Sequence, residues 1–345
     1  MNNEFESLCR CCESSELEKF EIKHFVFSPK SKEWDSFYCY ECGAVSDFNK
    51  NYNKNIYSTG NYRDIKINGV KAPIDFYSEI SFLRWKHIDK IIRKHLDSKK
   101  KLSHLDYGGY TGFLQFALKQ KYNFDCTLAD FDEKGLAIAK IMGLETINLN
   151  TVKITEDKKK YNFISLVHVI EHMEKPLDEI HNLIKSLNDE GIIYAEVPNV
   201  FCFPMSDKTH LTNFSIYAIH KFFKKTGLKI LDIDYCTTPR ESIKHNYYYN
   251  SKKENIYVIA KKTELNENQV DLEKKSFVCK NILEFKKKLL ISYSLIMLKD
   301  IPFNLSRTFF KNTKTAMLFF LYGLIDLVSL KLLNFSIINK LIKKK

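Results

Sequence analysis

The chain has 345 residues, 44% hydrophobic and 28% charged, with a formal charge of +12. That length and balance exclude a disordered or fibrous chain and leave room for one large domain with smaller attachments. The charge is local: residues 271–345 carry a net +10, so the preceding 270 residues are not marked as a polyanion-binding body.

The first residues, MNNEFESLCR, contain neither the basic start nor the apolar stretch of a secretory signal. Nine cysteines without such a signal imply a reducing compartment, and the expected location is cytoplasmic. Residues 1–70 hold five of the nine, in polar and aromatic surroundings with little helical period. Cys9-Arg10-Cys11-Cys12 and Cys39-Tyr40-Glu41-Cys42 form two C-x2-C knuckles with 26 residues between them. Cys9, Cys12, Cys39 and Cys42 thus offer four thiolates to a tetrahedral zinc ion, whose closed shell makes it structural. Cys11 either competes with Cys12 or stays free. Cys126, Cys202, Cys236 and Cys279 fall singly among apolar residues and read as core filling. A nucleic-acid-binding zinc ribbon would show a basic stripe here, whereas this segment is near charge balance.

Residues 75–262 alternate apolar strands with helical patterns, which predicts an α/β fold on a mainly parallel sheet. A helix over 77–96 leads to the strand LSHLDY. Helix FLQFALKQK, strand DCTLAD ending at Asp130, helix EKGLAIAKIMG and the short strand ETINL come next. NFISLVHV is almost wholly apolar, as a doubly covered parallel strand should be. Pro176 opens a helix, the turn NDEG precedes strand IIYAEV, and Ser215 caps a helix that Gly227 stops. LKILDI and IYVIAKK make a final out-and-back pair, for seven strands in all.

The turn after the first of these strands reads LDYGGYTGF. It lacks the G-x-G-x-x-G of a dinucleotide site, since Tyr110 and Phe113 occupy two of those places. What remains is Asp106-x-Gly108-x-x-x-Gly112, with Gly109 keeping the turn open, and a second acid, Asp130, placed to bond ribose hydroxyls. In order, LDYGGYTGF, ADFDEKGLAIAKIMG, NFISLVHVIEHMEKP and HLTNFSIYAIHKFFKKTGL resemble the signature segments of class I S-adenosylmethionine-dependent methyltransferases. The resemblance covers about 160 residues and is to the bacterial subgroup with H-x-x-E-H-x-x-x-P after the fourth strand. It implies a seven-stranded Rossmann-like sheet. Gly108 and Gly112 would flank the methionine part of the cofactor, Asp130 would hold its ribose, and Leu149 and Asn150 would lie near its adenine. Joined to an N-terminal zinc module, this core resembles sugar methyltransferases of antibiotic and surface-glycan pathways, in which the module helps hold a sugar nucleotide.

His168, Glu171 and His172 follow the fourth strand, at the sheet edge where α/β proteins bind ligands. The zinc-protease order H-E-x-x-H is absent, so Glu171 and His172 are expected to shape the pocket floor, and His168 to touch cofactor or satisfy the strand end. His210 sits on a loop facing the same edge. In the resembling sugar C-methyltransferases a histidine here, preceded by Tyr and Glu, is the base. Asp207 and Thr209 replace those neighbours, which favours methylation of oxygen. His210 is the expected base and His172 the runner-up.

Residues 270–345 mix apolar clusters with lysines, and the longest uncharged apolar run, Thr315 to Ile325, is 11 residues, short of a bilayer span. This extension fits a basic amphipathic helix at the inner membrane face, or helices packed on the core or on a second copy; packing is the expectation. Three readings follow: methyl transfer to a sugar or sugar nucleotide, methyl transfer to a lipid or quinone oxygen, and a zinc-ribbon RNA-binding methyltransferase.

Overall fold

A computed structural model describes residues 8–19, 34–49, 57, 66–67, 70–71, 74–97, 101–202, 209–237, 253–262, 284–285 and 287–288. The cysteine-bearing segment contributes three strands, β1 (Leu17–Lys19), β2 (Trp34–Cys39) and β3 (Val45–Asn49), followed by a small ribbon of β4 (Lys66–Ile67) and β5 (Val70–Lys71). It is therefore more strand-rich than its composition suggests, because the metal-type knuckle at Cys39–Cys42 turns β2 directly back into β3.

Helix α1 (Ile74–His95) leads into the main sheet. There β6 (Ser103–Tyr107), α2 (Phe113–Tyr122), β7 (Asp125–Asp130), α3 (Glu133–Ile141), β8 (Glu145–Asn148), β9 (Tyr161–Val167), α4 (Pro176–Lys185) and β10 (Leu187–Pro198) alternate. A two-residue strand, β11 (Thr212–Asn213), precedes α5 (Ile216–Lys225), β12 (Lys229–Cys236) and β13 (Asn255–Lys261). The seven strands lie in the order β12-β13-β10-β9-β6-β7-β8, with β13 antiparallel to both neighbours. This is the expected seven-stranded α/β sheet with its closing out-and-back pair.

Helices cover both faces. Ile88 and Ile92 of α1, Leu114 and Leu118 of α2 and Leu136 of α3 bury one side of the sheet. Leu177, Ile180 and Leu183 of α4, spaced by three, and Ile219, Phe222 and Phe223 of α5 bury the other. Each such side chain contributes about 1.5–3 kcal/mol. Ser215 caps α5 by accepting the Ala218 N–H at 3.2 Å, and Pro176 opens α4, both as expected. The segment read as a turn, NDEG, is instead a bulge within β10: register shifts between Leu187 and Ile192, and Glu190 takes a φ of 63°.

The cysteine segment is built into this body. β11, a product of the chain's second half, pairs antiparallel with β3 (Thr212 with Ser46, Asn213 with Val45), completing a four-stranded sheet β1-β2-β3-β11. Asn213 Nδ2 donates to Asp47 Oδ2 at 2.7 Å, and Ser36 donates to the other oxygen of that carboxylate. Phe285 is buried against Tyr38 and Phe201, with ring centroids 4.8 and 5.5 Å away, so the described start of the C-terminal extension packs on the body. The rest of residues 270–345, with Cys279, lies outside the described residues, as does Asp207. Among the described residues, no helix is long and apolar enough to cross a membrane.

Candidate active site

The chain runs outward through β6, β7 and β8, then crosses back to place β9 on the other side of β6. A crevice opens at such a reversal, and the carboxyl ends of β6 and β9 deliver the singled-out residues to it. The glycine turn leaves β6 and enters α2, whose first residue follows Gly112 in a left-handed conformation without a side-chain cap. Its leading N–H groups therefore face the crevice, as an anionic or polar ligand group requires. Gly109 tolerates no side chain: a Cβ there would sit 2.2 Å from Asp106 Oδ2 and 2.5 Å from Leu128.

Tyr110 answers for the missing glycine by adopting its backbone, with φ at 54°. A left-handed L-residue costs about 1–2 kcal/mol. The Tyr110 N–H offsets that cost by donating to Asp130 Oδ2 at 2.7 Å, while Asp130 Oδ1 accepts the Asp132 N–H at 2.9 Å. Asp130 thus ties the turn to the start of α3. A carboxylate has about four acceptor sites, so these two bonds do not exhaust it. Leu149 and Asn150 are brought to the same corner: the Leu149 N–H donates to the Asp130 carbonyl, and Asn150 Nδ2 to that of Phe131.

Asp106 is buried beneath the turn and accepts from Ser165 Oγ at 2.6 Å. Burial, which the Ser165 bond only partly opposes and Asp130 reinforces, pushes its pKa up to about 7. Behind Ser165 lies His104, 2.8 Å away, whose pKa burial lowers to about 3, so a neutral imidazole hands its N–H to the serine.

At the end of β9 the backbone turns sharply at His168, φ 55°. The His168 Nδ1 lies 3.3 Å from Glu171 and its Nε2 lies 3.4 Å from Glu196. Burial and Arg84 oppose a proton on His168, but the two carboxylates prevail and its pKa is raised. Glu196 on β10 is buried; burial opposes its ionisation, yet Arg84 at 3.1 Å and His168 hold it well below the usual carboxylate range. Tyr194 and Asn255 donate to the same carboxylate at 2.8 and 2.9 Å. Next along the chain, Glu171 is buried with neither carboxylate oxygen hydrogen-bonded. His172 Nδ1 is 2.9 Å from the Thr209 carbonyl, and the His172 and His210 rings lie 4.8 Å apart. The loop that carries His210 is clamped from two sides: the Leu211 N–H donates to Glu171 O at 2.7 Å, and the Leu211 carbonyl accepts the Asp47 N–H at 2.8 Å.

The 26 residues between the knuckles do not keep them apart. Sulfurs of Cys9, Cys12, Cys39 and Cys42 all lie within 4.8 Å of one another, with Cys9–Cys42 at 3.6 and Cys12–Cys39 at 3.5 Å. Zinc–sulfur bonds of about 2.3 Å set tetrahedral edges of about 3.8 Å, so the cage suits that ion. Hydrogen bonds from Cys12, Cys39 and Cys42 hold the Cys9 thiol far below its ordinary range. Cys11 turns away and donates to the Ala218 carbonyl at 3.3 Å, which removes it as a rival to Cys12.

Residues 81–233 match the family model described as a methyltransferase domain. This segment is a methyltransferase domain. No curated protein matches it. Solved structures similar to this methyltransferase include three, each at low identity. An S-adenosylmethionine-dependent methyltransferase from Clostridium acetobutylicum is 13% identical, with a TM-score of 0.38, covering 55% of this chain and 92% of its own. Magnesium protoporphyrin IX methyltransferase from Synechocystis, with bound SAH, is 14% identical at a TM-score of 0.41, covering 61% and 96%. A complex of the Haloferax volcanii Trm112 methyltransferase activator with a methyltransferase matches at 12% and 0.43, covering 54% and 94%.

Sequence reasoning missed Glu196, Arg84 and Gly135 in this methyltransferase. A lone acid inside the apolar strand IIYAEV was the available signal for Glu196. Gly135 opens α3 where a Cβ would meet the Tyr110 carbonyl at 2.6 Å, so the helix can approach the turn only through glycine. Nothing in the local pattern of α1 distinguishes Arg84.

Proposed function

We propose that this enzyme methylates an oxygen of a sugar or sugar nucleotide in surface-glycan or related biosynthesis. The observation that carries the reading is the joining of the cysteine module to the loop of His210, at the end of the crevice that also holds Glu171 and His172. β3 pairs with β11, and the loop thus held brings His210 against His172 and Glu171. In this reading a module resembling that of sugar methyltransferases forms part of the acceptor's wall.

In this reading Asp106, Gly108, Gly109, Gly112, Asp130, Leu149, Asn150 and His168 surround the cofactor, with Asp130 receiving ribose hydroxyls. S-adenosylmethionine, when bound, supplies an electrophilic sulfonium methyl. The protein's own task is then to hold the acceptor oxygen in line, a proximity effect of roughly 7 to 11 kcal/mol, and to ease loss of its proton. His210 is the first candidate for activating that oxygen and His172 the second. Cys9, Cys12, Cys39 and Cys42 hold a structural zinc ion, which keeps the hairpin of β2 and β3 in shape.

The test is single-turnover transfer to a panel of sugar nucleotides, with cofactor affinity measured alongside. His210→Ala should lower the rate about 100-fold or more and leave S-adenosylmethionine binding intact. Near-wild-type rates in that variant would remove His210, and transfer only to a quinone, lipid or RNA oxygen would overturn the substrate class.

A further inference from the structure

Beside the crevice three donor side chains converge, none of them a cysteine. One carboxylate oxygen of Glu171, one ring nitrogen of His172 and one of His210 lie within 4.8 Å of one another. Glu171 is 1% exposed, and neither of its oxygens receives a hydrogen bond. His168 Nδ1 lies 3.3 Å from Glu171 Oε1 but its ring is shared with Glu196, so this buried carboxylate, with no hydrogen bond to either oxygen, still gains from a further cation.

His172 supplies the second observation. Its Nδ1 sits 2.9 Å from the Thr209 carbonyl, which only accepts, so Nδ1 carries the hydrogen. In the neutral ring the lone pair is then on Nε2, which points toward Glu171 Oε1, 3.9 Å away. Two lone-pair donors facing each other repel unless something positive lies between them. An imidazole fixed by a backbone carbonyl on one nitrogen, with the other turned to a carboxylate, is the usual posture of a metal-ligating histidine.

We infer that Glu171, His172 and His210 form a second metal site, for a divalent transition ion at the acceptor subsite. Two imidazoles and one carboxylate suit ions of the zinc, iron or cobalt type, and three protein ligands leave positions open. Donors bound at about 2.0–2.2 Å stand about 3.3–3.6 Å apart in a tetrahedron, so closing on an ion asks only small side-chain shifts. The Leu211 N–H bond to the Glu171 carbonyl and the pairing of β11 with β3 preorganise the loop that brings His210.

The inference rests on the acceptor reading above and refines it: the histidines then act through the ion rather than taking the proton themselves. An acceptor hydroxyl that reaches the open positions loses its proton to solvent more readily. As its oxygen bonds the methyl carbon, the sulfur–methyl bond breaks and its electron pair stays on sulfur.

The experiment uses the full, zinc-loaded chain without acceptor, titrated with Co²⁺ and followed by visible absorption and calorimetry. One further ion per chain is expected, with the weak bands of nitrogen and oxygen ligation and no thiolate charge-transfer band. Glu171→Gln, and independently His210→Ala on its loop, should weaken it at least about tenfold while S-adenosylmethionine still binds. Failure to bind Co²⁺, charge-transfer bands alone, or unchanged affinity in both variants would leave only an imidazolium–carboxylate pair and overturn the inference. Because no acceptor is present, a wrong substrate class leaves the result untouched.

Discussion

Asp130→Ala separates two duties carried by one carboxylate. In the structure it accepts the Tyr110 N–H at 2.7 Å and the Asp132 N–H at 2.9 Å, and both donor residues are buried. Hydrogen bonds to a charged acceptor contribute about 1.5–3 kcal/mol each, so losing both should cost the cofactor-free protein about 3–6 kcal/mol. Ribose hydroxyls that donate to the same carboxylate add a further loss of about 1.5–3 kcal/mol in affinity, roughly 10- to 150-fold. Asp130→Asn keeps one oxygen and should fall about halfway on the first scale. Urea unfolding without cofactor reads the turn, and calorimetric titration with S-adenosylmethionine reads the ribose contact. An unchanged urea midpoint would refute the anchoring of the turn. Unchanged affinity, or a preference for NAD, would refute the ribose assignment.

Two further predictions concern other parts of the molecule. Asp106 has its pKa raised from 3.8 to about 7 by burial, so the folded state holds a proton that the unfolded state has lost. The resulting stabilisation is complete below about pH 4 and is lost as pH rises through 7, a change of at most about 4 kcal/mol. Asp106→Asn should flatten that dependence and stabilise the cofactor-free protein at pH 8, as measured by urea midpoints across the range; an unchanged profile would remove Asp106 as its source. Cys39→Ser should lose the zinc ion and, through β3 and β11, slow methyl transfer more than it weakens cofactor binding. Metal analysis beside kinetics checks this, and equal zinc content in variant and wild type would exclude the four-cysteine cage.

The fold was legible where a residue's neighbours in sequence are also its neighbours in space. Strand DCTLAD coincides with β7, and the caps at Pro176 and Ser215 stand where residue chemistry puts them. The candidate site was legible in part: the glycines and Asp130 announce themselves by standing at the ends of two successive strands, β6 and β7. What escaped depends on partners far along the chain. β11 is two residues long and has no period to detect, and its partner β3 lies in the polar, aromatic segment read for its cysteines alone. Arg84 and Glu196 are 112 residues apart and acquire meaning only as a pair. Glu190 shows the opposite failure, since Asn-Asp-Glu-Gly is good turn chemistry that the sheet absorbed as a bulge.

The bond from Asn213 to Asp47 spans 166 residues and bears on how the protein is born. Ribosomes add about 5–20 residues per second, so roughly 8 to 33 s pass between emergence of β3 and of the strand that covers it. During that interval the cysteine hairpin presents an open backbone edge, and Cys11 has yet to meet the Ala218 carbonyl that receives its thiol. Ion capture by the four knuckle cysteines needs nothing beyond Cys42, so it can come first and hold the nascent hairpin in register. A segment made before the main sheet is thus finished after it, and an ion captured by the four cysteines would stand in for contacts not yet synthesised.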